Sequence, residues 1–168
     1  IEVGGSAPGT GYDQLNVTGT AILNGSLNVS LINGFVPLPC QRFEVLNYTS
    51  LSGGIASFSG LNIGGGLFFR ADTLSTGLVL TAYSTDDAVN VQPVNVNVSE
   101  DGTTADYNVC LATSSAPGSV VNVFATPDSQ VTTTPGLLTF DPVSDWNTVK
   151  TVTVSALDDL LLEGPHTG

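Results

Sequence analysis

Positive charge is nearly absent from this chain. Arg42, Arg70 and Lys150 stand against fifteen acids, for a formal net charge of -12. Nucleic acid and anionic membrane surfaces both recruit cationic patches, so neither is an expected partner. No apolar run reaches the roughly 18 residues of a membrane-crossing helix, which argues against membrane insertion. Ile1 is not followed by the basic and apolar regions of a secretory leader, so a secreted protein would be represented here by a mature form or a piece of a longer chain. His166 is the only histidine. Ser-His-Asp or Cys-His machinery would rest on it alone, and no partner motif accompanies it. Two cysteines, Cys40 and Cys110, are too few for a disulfide scaffold and fit no zinc spacing. They are either a bridged pair, joining modules or subunits, or two buried thiols.

What the chain has instead is turn residues and short alternating runs. Its 19 glycines and 9 prolines are spread throughout, as many short strands joined by tight turns require. Thr151 to Ala156 is the clearest strand: Val152, Val154 and Ala156 alternate with Thr151, Thr153 and Ser155. It follows Trp146-Asn147-Thr148 and ends in Asp158-Asp159 with Glu163 beyond. Further strands are expected at 15–17, 21–23, 27–31, 43–46, 66–69 and 78–80. Leu27, Val29 and Leu31 should share one face. In the second half, strands are expected around 89–98, 107–111, 120–124, 137–140 and 151–156. Asn24-Gly25 and Asn33-Gly34 supply left-handed turns. The loop Gly4 to Gly11 is glycine-rich, but Tyr12-Asp13 stands where a phosphate loop needs Lys-Ser/Thr.

Charge divides the chain. Residues 1–82 hold four acids against two arginines, whereas residues 83–168 hold eleven against Lys150. The shift falls in Ser84-Thr85-Asp86-Asp87, so the expected domains are 1–83 and 84–168.

Two resemblances sharpen this all-β reading. Tyr12-Asp13-Gln14-Leu15-Asn16-Val17-Thr18-Gly19, Leu23-Asn24-Gly25-Ser26-Leu27-Asn28-Val29, Gly34-Phe35-Val36-Pro37 and Phe43-Glu44-Val45-Leu46 together resemble the terminal rungs of autotransporter-type secreted β-solenoids. The resemblance implies a small β-solenoid or β-roll module in a fibre-like surface protein. Cys40 stands where that pattern usually has glycine. An ordinary small β-sandwich is the alternative architecture for this half. From about Asp87, the runs Val98-Ser99-Glu100-Asp101-Gly102, Tyr107-Asn108-Val109, Leu138-Thr139-Phe140, Trp146-Asn147-Thr148, Thr151-Val152-Thr153-Val154 and Glu163-Gly164-Pro165-His166-Thr167-Gly168 are similar to a Calx-β domain. That resemblance implies an immunoglobulin-like β-sandwich, here incomplete at its C-terminus, with Cys110 at a usually apolar position. It also implies calcium held by carboxylates at one end. By motif the metal ligands are Glu100, Asp158, Asp159 and Glu163, with Asp128 and Asp141 secondary; the alternative is that these acids are solvated turn residues.

The functional expectation is a non-enzymatic, extracellular or cell-surface module, structural or adhesive, calcium-stabilised and assembling head to tail by strand complementation. Its partners would be further copies or the remainder of a longer chain. The alternative is a module binding glycans, as in polysaccharide, or another surface through flat Thr and Asn arrays. Five Asn-x-Ser/Thr sequons, at Asn16, Asn24, Asn28, Asn47 and Asn97, would be glycosylated where the source has the machinery.

Overall fold

A computed structural model describes residues 1–158 and the backbone of residues 166 and 167. The chain is all-β, with no helix among the described residues. It divides into two compact units, Ile1–Asp86 and Asp87–Gly168.

In the first unit the chain makes two passes that pair in parallel. The first pass carries β2 (Leu15–Asn16), β3 (Thr20–Leu23) and β4 (Ser26–Asn28); the second carries β6 (Arg42–Asn47), β7 (Ser50–Gly53) and β8 (Ser57–Ser59). Leu15 aligns with Leu46, Thr20 with Ser50 and Leu27 with Phe58, so partners lie 30 or 31 residues apart. β1 (Glu2–Val3) adds a further parallel pairing, against β5 (Ser30–Leu31). β6 also begins an antiparallel run through β11 (Gly77–Ser84) and β10 (Leu67–Thr73) to β9 (Asn62–Gly64). Inside lies a continuous core including Val3, Ala21, Val29, Val45, Leu78 and Leu80. Phe43 is its aromatic hub, meeting Tyr12, Phe35 and Phe69 edge to face at 5.3, 6.2 and 5.7 Å, an arrangement matched to the ring quadrupoles.

Two glycines let the passes approach. Gly53 and Gly60 have φ of +78° and +73°. A β-carbon on Gly53 would lie 2.3 Å from the Leu23 carbonyl oxygen, and one on Gly60 1.8 Å from that of Val29. Only a residue without a side chain meets both demands.

The expected strand at 27–31 is broken. Leu27, Val29 and Leu31 do pack on one core, but β4 pairs with β8 and β5 with β1. At the corner between them the Val29 N–H donates to the Ser59 carbonyl at 3.0 Å. The strands β7, β8 and β9 each carry a single apolar residue, Leu51, Phe58 or Ile63, packed on the core between polar or glycine neighbours, too short an alternation for a sequence reading to find.

The second unit is built on an antiparallel sheet of β12 (Val89–Gln92), β14 (Thr104–Leu111), β18 (Lys150–Ala156) and β16 (Val131–Thr134), in that order. The antiparallel pair β15 (Val121–Phe124) and β17 (Leu137–Phe140) packs on its inner face, where Val109, Leu111 and Val152 meet Leu138 and Phe140. β13 (Asn97–Val98) pairs with β19 (His166–Thr167). A second cluster joins Val96 and Val98 to Val131 and Val154. Trp146 does not open the long strand. The segment from Asp141 to Thr148 is a closed turn: the Asp141 carboxylate accepts from the Val143 and Ser144 N–H groups, and its carbonyl accepts from the Trp146 N–H at 2.9 Å. Trp146 packs from this turn against the β14–β17–β18 cluster, and the strand begins at Lys150.

Candidate functional site

The first candidate surface is the row of side chains joining the two passes of the first unit. The Asn47 amide donates to Asn16 Oδ1 at 2.9 Å, Thr20 and Ser50 share a hydroxyl hydrogen bond of 2.7 Å, and Ser59 Oγ donates to Asn28 Oδ1 at 2.9 Å. These pairs fall in register because each pass places the same polar positions outward. Among the described residues β3 and β4 each pair with one strand, and β2 is the edge of its sheet. Apart from the Asn28 carbonyl, which accepts from the Ile1 amino group at 2.8 Å, their other edges present backbone donors and acceptors for a further strand. Ile22, on β3, is 81% exposed. Three sequon asparagines, Asn16, Asn28 and Asn47, belong to this ladder, while Asn24 and Asn97 are exposed without a place in it.

The acidic turns of the second unit form the next candidate. Asp101 is the centre of the first. Its Oδ1 accepts from Ser99 Oγ at 2.5 Å, from the Thr103 N–H at 3.0 Å and from the Thr103 hydroxyl. The Ser99 and Thr103 hydroxyls, then the Thr103 N–H, hold the Asp101 carboxyl down to about 2. Sequence reasoning chose Glu100, which is half-buried beside it, and passed over Asp101; the Ser-x-Asp-x-Thr spacing was the available signal. In the second turn, Asp145 accepts from Lys150 Nζ at 2.6 Å and from the Asp141 N–H at 2.6 Å. Those two bonds lower its pKa, the lysine first. Asp141 is also lowered, chiefly by the Val143 and Ser144 N–H groups. Asp128 accepts from the Gln130 N–H at 2.9 Å.

Asp158 is exposed just beyond β18. Asp159 and Glu163, with the side chain of His166, lie outside the described residues. Among the described residues no group of three His, Cys, Asp or Glu side chains could hold a metal. Asp101, Asp128 and Asp141 each accept, through Oδ1, from donors of their own turns.

A third surface is the outward face of the four-stranded sheet. Thr104, Ser155 and Thr132 align across three strands, as do Asp106, Thr153 and Thr134, and Asn108 aligns with Thr151. The Thr151 hydroxyl donates to Asn108 Oδ1 at 2.8 Å and the Thr153 hydroxyl to Asp106 Oδ1 at 2.7 Å. Val152 and Val154 take the opposite, buried face.

Both cysteines are buried and disulfide-bonded. Cys40 has φ +64°, the left-handed region that gives glycine its advantage at this position. Compared with protein-family models, curated proteins and solved structures, the chain matches none.

Proposed function

We propose that this chain is a non-enzymatic structural or adhesive module of an extracellular surface or filament protein, assembling head to tail by strand complementation. The observation that carries the reading is the pair of parallel passes with aligned polar ladders and, among the described residues, open strand edges on the first pass. Such a stack is completed by adding another strand layer of the same kind. We read the first unit as a small β-solenoid and the second as an immunoglobulin-like sandwich of the Calx-β type. The oxidised cysteines support an oxidising, extracellular setting. A head-to-tail contact does not close on itself unless its rotation makes a ring, so the product is a filament. Calcium acts in this reading by offsetting the acidity of the second unit. The test is sedimentation and electron microscopy of the full chain at rising concentration, with calcium and with chelator. Concentration-dependent filaments are expected, and a chain that stays monomeric throughout overturns the assembly. Calcium should also raise the melting temperature, since a ligand bound only by the folded state adds about 2.7 kcal/mol at a hundredfold excess over Kd; identical curves remove the cation.

A second reading is favoured by the aligned hydroxyl, amide and carboxylate rows on the four-stranded sheet. Flat polar rows at strand spacing suit a repetitive polysaccharide or other ordered surface. Glycan-array binding abolished by Thr151→Val together with Thr153→Val would favour it over assembly.

A further inference from the structure

The core of the second unit is split. One cluster is built around Val109, Leu111, Val152 and Phe140, the other around Val96, Val98, Val131 and Val154, and Tyr107 packs against both. Over that division lies a groove of about 250 Å³. Tyr107, Val109, Val94, Val96, Val123 and Phe124 are among the residues that line it. Val94 is 73% exposed and Phe124 69%. Among the described residues no charged side chain lines the groove.

The lining alone would suit any apolar group, but two further features narrow the occupant. Among the described residues β15 pairs on one side only, with β17. Val123 and Phe124 of that strand line the groove, so it adjoins a strand edge whose outward N–H and C=O groups a polypeptide backbone can pair. Its volume also falls below the roughly 300 Å³ at which small-molecule sites begin. It does exceed the ~150 Å³ of a cavity that holds benzene, so it has room for apolar side chains entering at alternate positions. Charge supplies the second feature. The groove shares Tyr107 with an adjoining depression that carries Asp128. Residues 87–168 hold ten carboxylates against Lys150, and Lys150 is engaged by Asp145. A second copy carries a formal net charge of -12 as a whole, whereas a basic-flanked strand would be attracted.

We infer that this groove accepts an extended strand from a different polypeptide, apolar at alternate positions and flanked by lysine or arginine. The strand adds to the β15 edge, drops its apolar side chains over Tyr107 and joins the two halves of the core. The inference goes beyond self-assembly and survives a chain that forms no filaments.

The test uses the full 168-residue chain and labelled ten-residue peptides of alternating valine and threonine with terminal lysines. Fluorescence anisotropy should show one-to-one binding at least tenfold tighter than for a peptide with its valines grouped, for one N-methylated at alternate amides, or for one with glutamates in place of the lysines. Affinity should fall with added salt, and amide exchange in Val121–Phe124 should slow on binding. Phe124→Lys should weaken binding at least tenfold; because Phe124 is mostly exposed, an unchanged melting curve verifies that the variant is folded. Equal binding of the grouped or N-methylated peptide would mean an apolar patch rather than a strand acceptor and would overturn the proposal. So would equal binding of the glutamate peptide, absence of exchange protection, or displacement by unlabelled chain as effective as by peptide, which would make a second copy the occupant.

Discussion

The approach of the two passes in the first unit can be tested with a graded series of alanines. At Gly60 the backbone has φ +73°, and a β-carbon would fall 1.8 Å from the Val29 carbonyl oxygen. Left-handed backbone costs a side-chain-bearing residue roughly 1–2 kcal/mol. The steric term is larger in kind, because the obstacle is backbone rather than a flexible side-chain tip. The oxygen would have to retreat from 1.8 Å to beyond 3.0 Å, which also breaks the bond from the Val29 N–H to the Ser59 carbonyl. That bond adds about 1 kcal/mol. Gly60→Ala should therefore cost at least about 3 kcal/mol, lowering the transition of a unit this size by roughly 12–24 °C at 4–8 °C per kcal/mol. Two controls separate the contributions. Gly25 has φ +91° and open space around its missing side chain, so Gly25→Ala should show only the backbone cost of about 1 kcal/mol. Gly19 has open space and no such φ, and Gly19→Ala should lie within about 0.5 kcal/mol of the parent. Thermal melting by circular dichroism measures the series, with fluorescence of Trp146, the sole tryptophan, reporting the second unit separately. A Gly60→Ala transition no lower than that of Gly25→Ala would refute the close pairing of the passes.

Other outcomes follow from single groups. Among the described residues the buried Thr81 Oγ1 has no hydrogen-bond partner, so Thr81→Val, which keeps the shape, should raise stability by about 1 kcal/mol in urea titration; a loss would mean the hydroxyl is bonded. Asp101 is held at about 2, and Asp141 and Asp145 are also lowered. Groups with depressed folded values stabilise above their unfolded pKa of about 3.9. Their contribution is lost as pH falls through the folded values. The urea midpoint of the second unit should drop between about pH 4 and pH 2, and less so in Asp101→Asn; a flat profile would contradict the turn geometry. Alkylation under denaturing, non-reducing conditions should find no thiol before reduction and two after it. The mass of the unreduced protein then separates a bond within one chain from bonds between chains, and two free thiols at the outset would refute the bridge.

Much of the fold was legible where alternation is strong. The Val152–Val154 strand, the inward set of Leu27, Val29 and Leu31, and the all-β class all follow from period-two burial. What escaped was set by pairing across distance. β7 and β8 are held by parallel partners 30 or 31 residues away, and a Ser-Leu-Ser-Gly segment carries no trace of them. The expected strand at 151–156 is found at Lys150–Ala156, but the turn before it, closed by the hydrogen bonds of Asp141 and carrying Trp146 onto the core, left no periodic signal. At the acidic turns, charge alone could not distinguish Asp101, whose Oδ1 accepts three hydrogen bonds from its own turn, from Glu100 beside it.

The 30- or 31-residue interval between paired positions also bears on how such a chain can change in length. Removing or adding a whole pass would keep asparagine over asparagine, leucine over aromatic, and each glycine beneath the carbonyl that excludes a side chain. An insertion of a few residues within β2 to β4 would carry every later position out of line, and an odd one would turn the inward set outward. The first unit should therefore tolerate indels in steps of one pass, or at its corners, and resist those between.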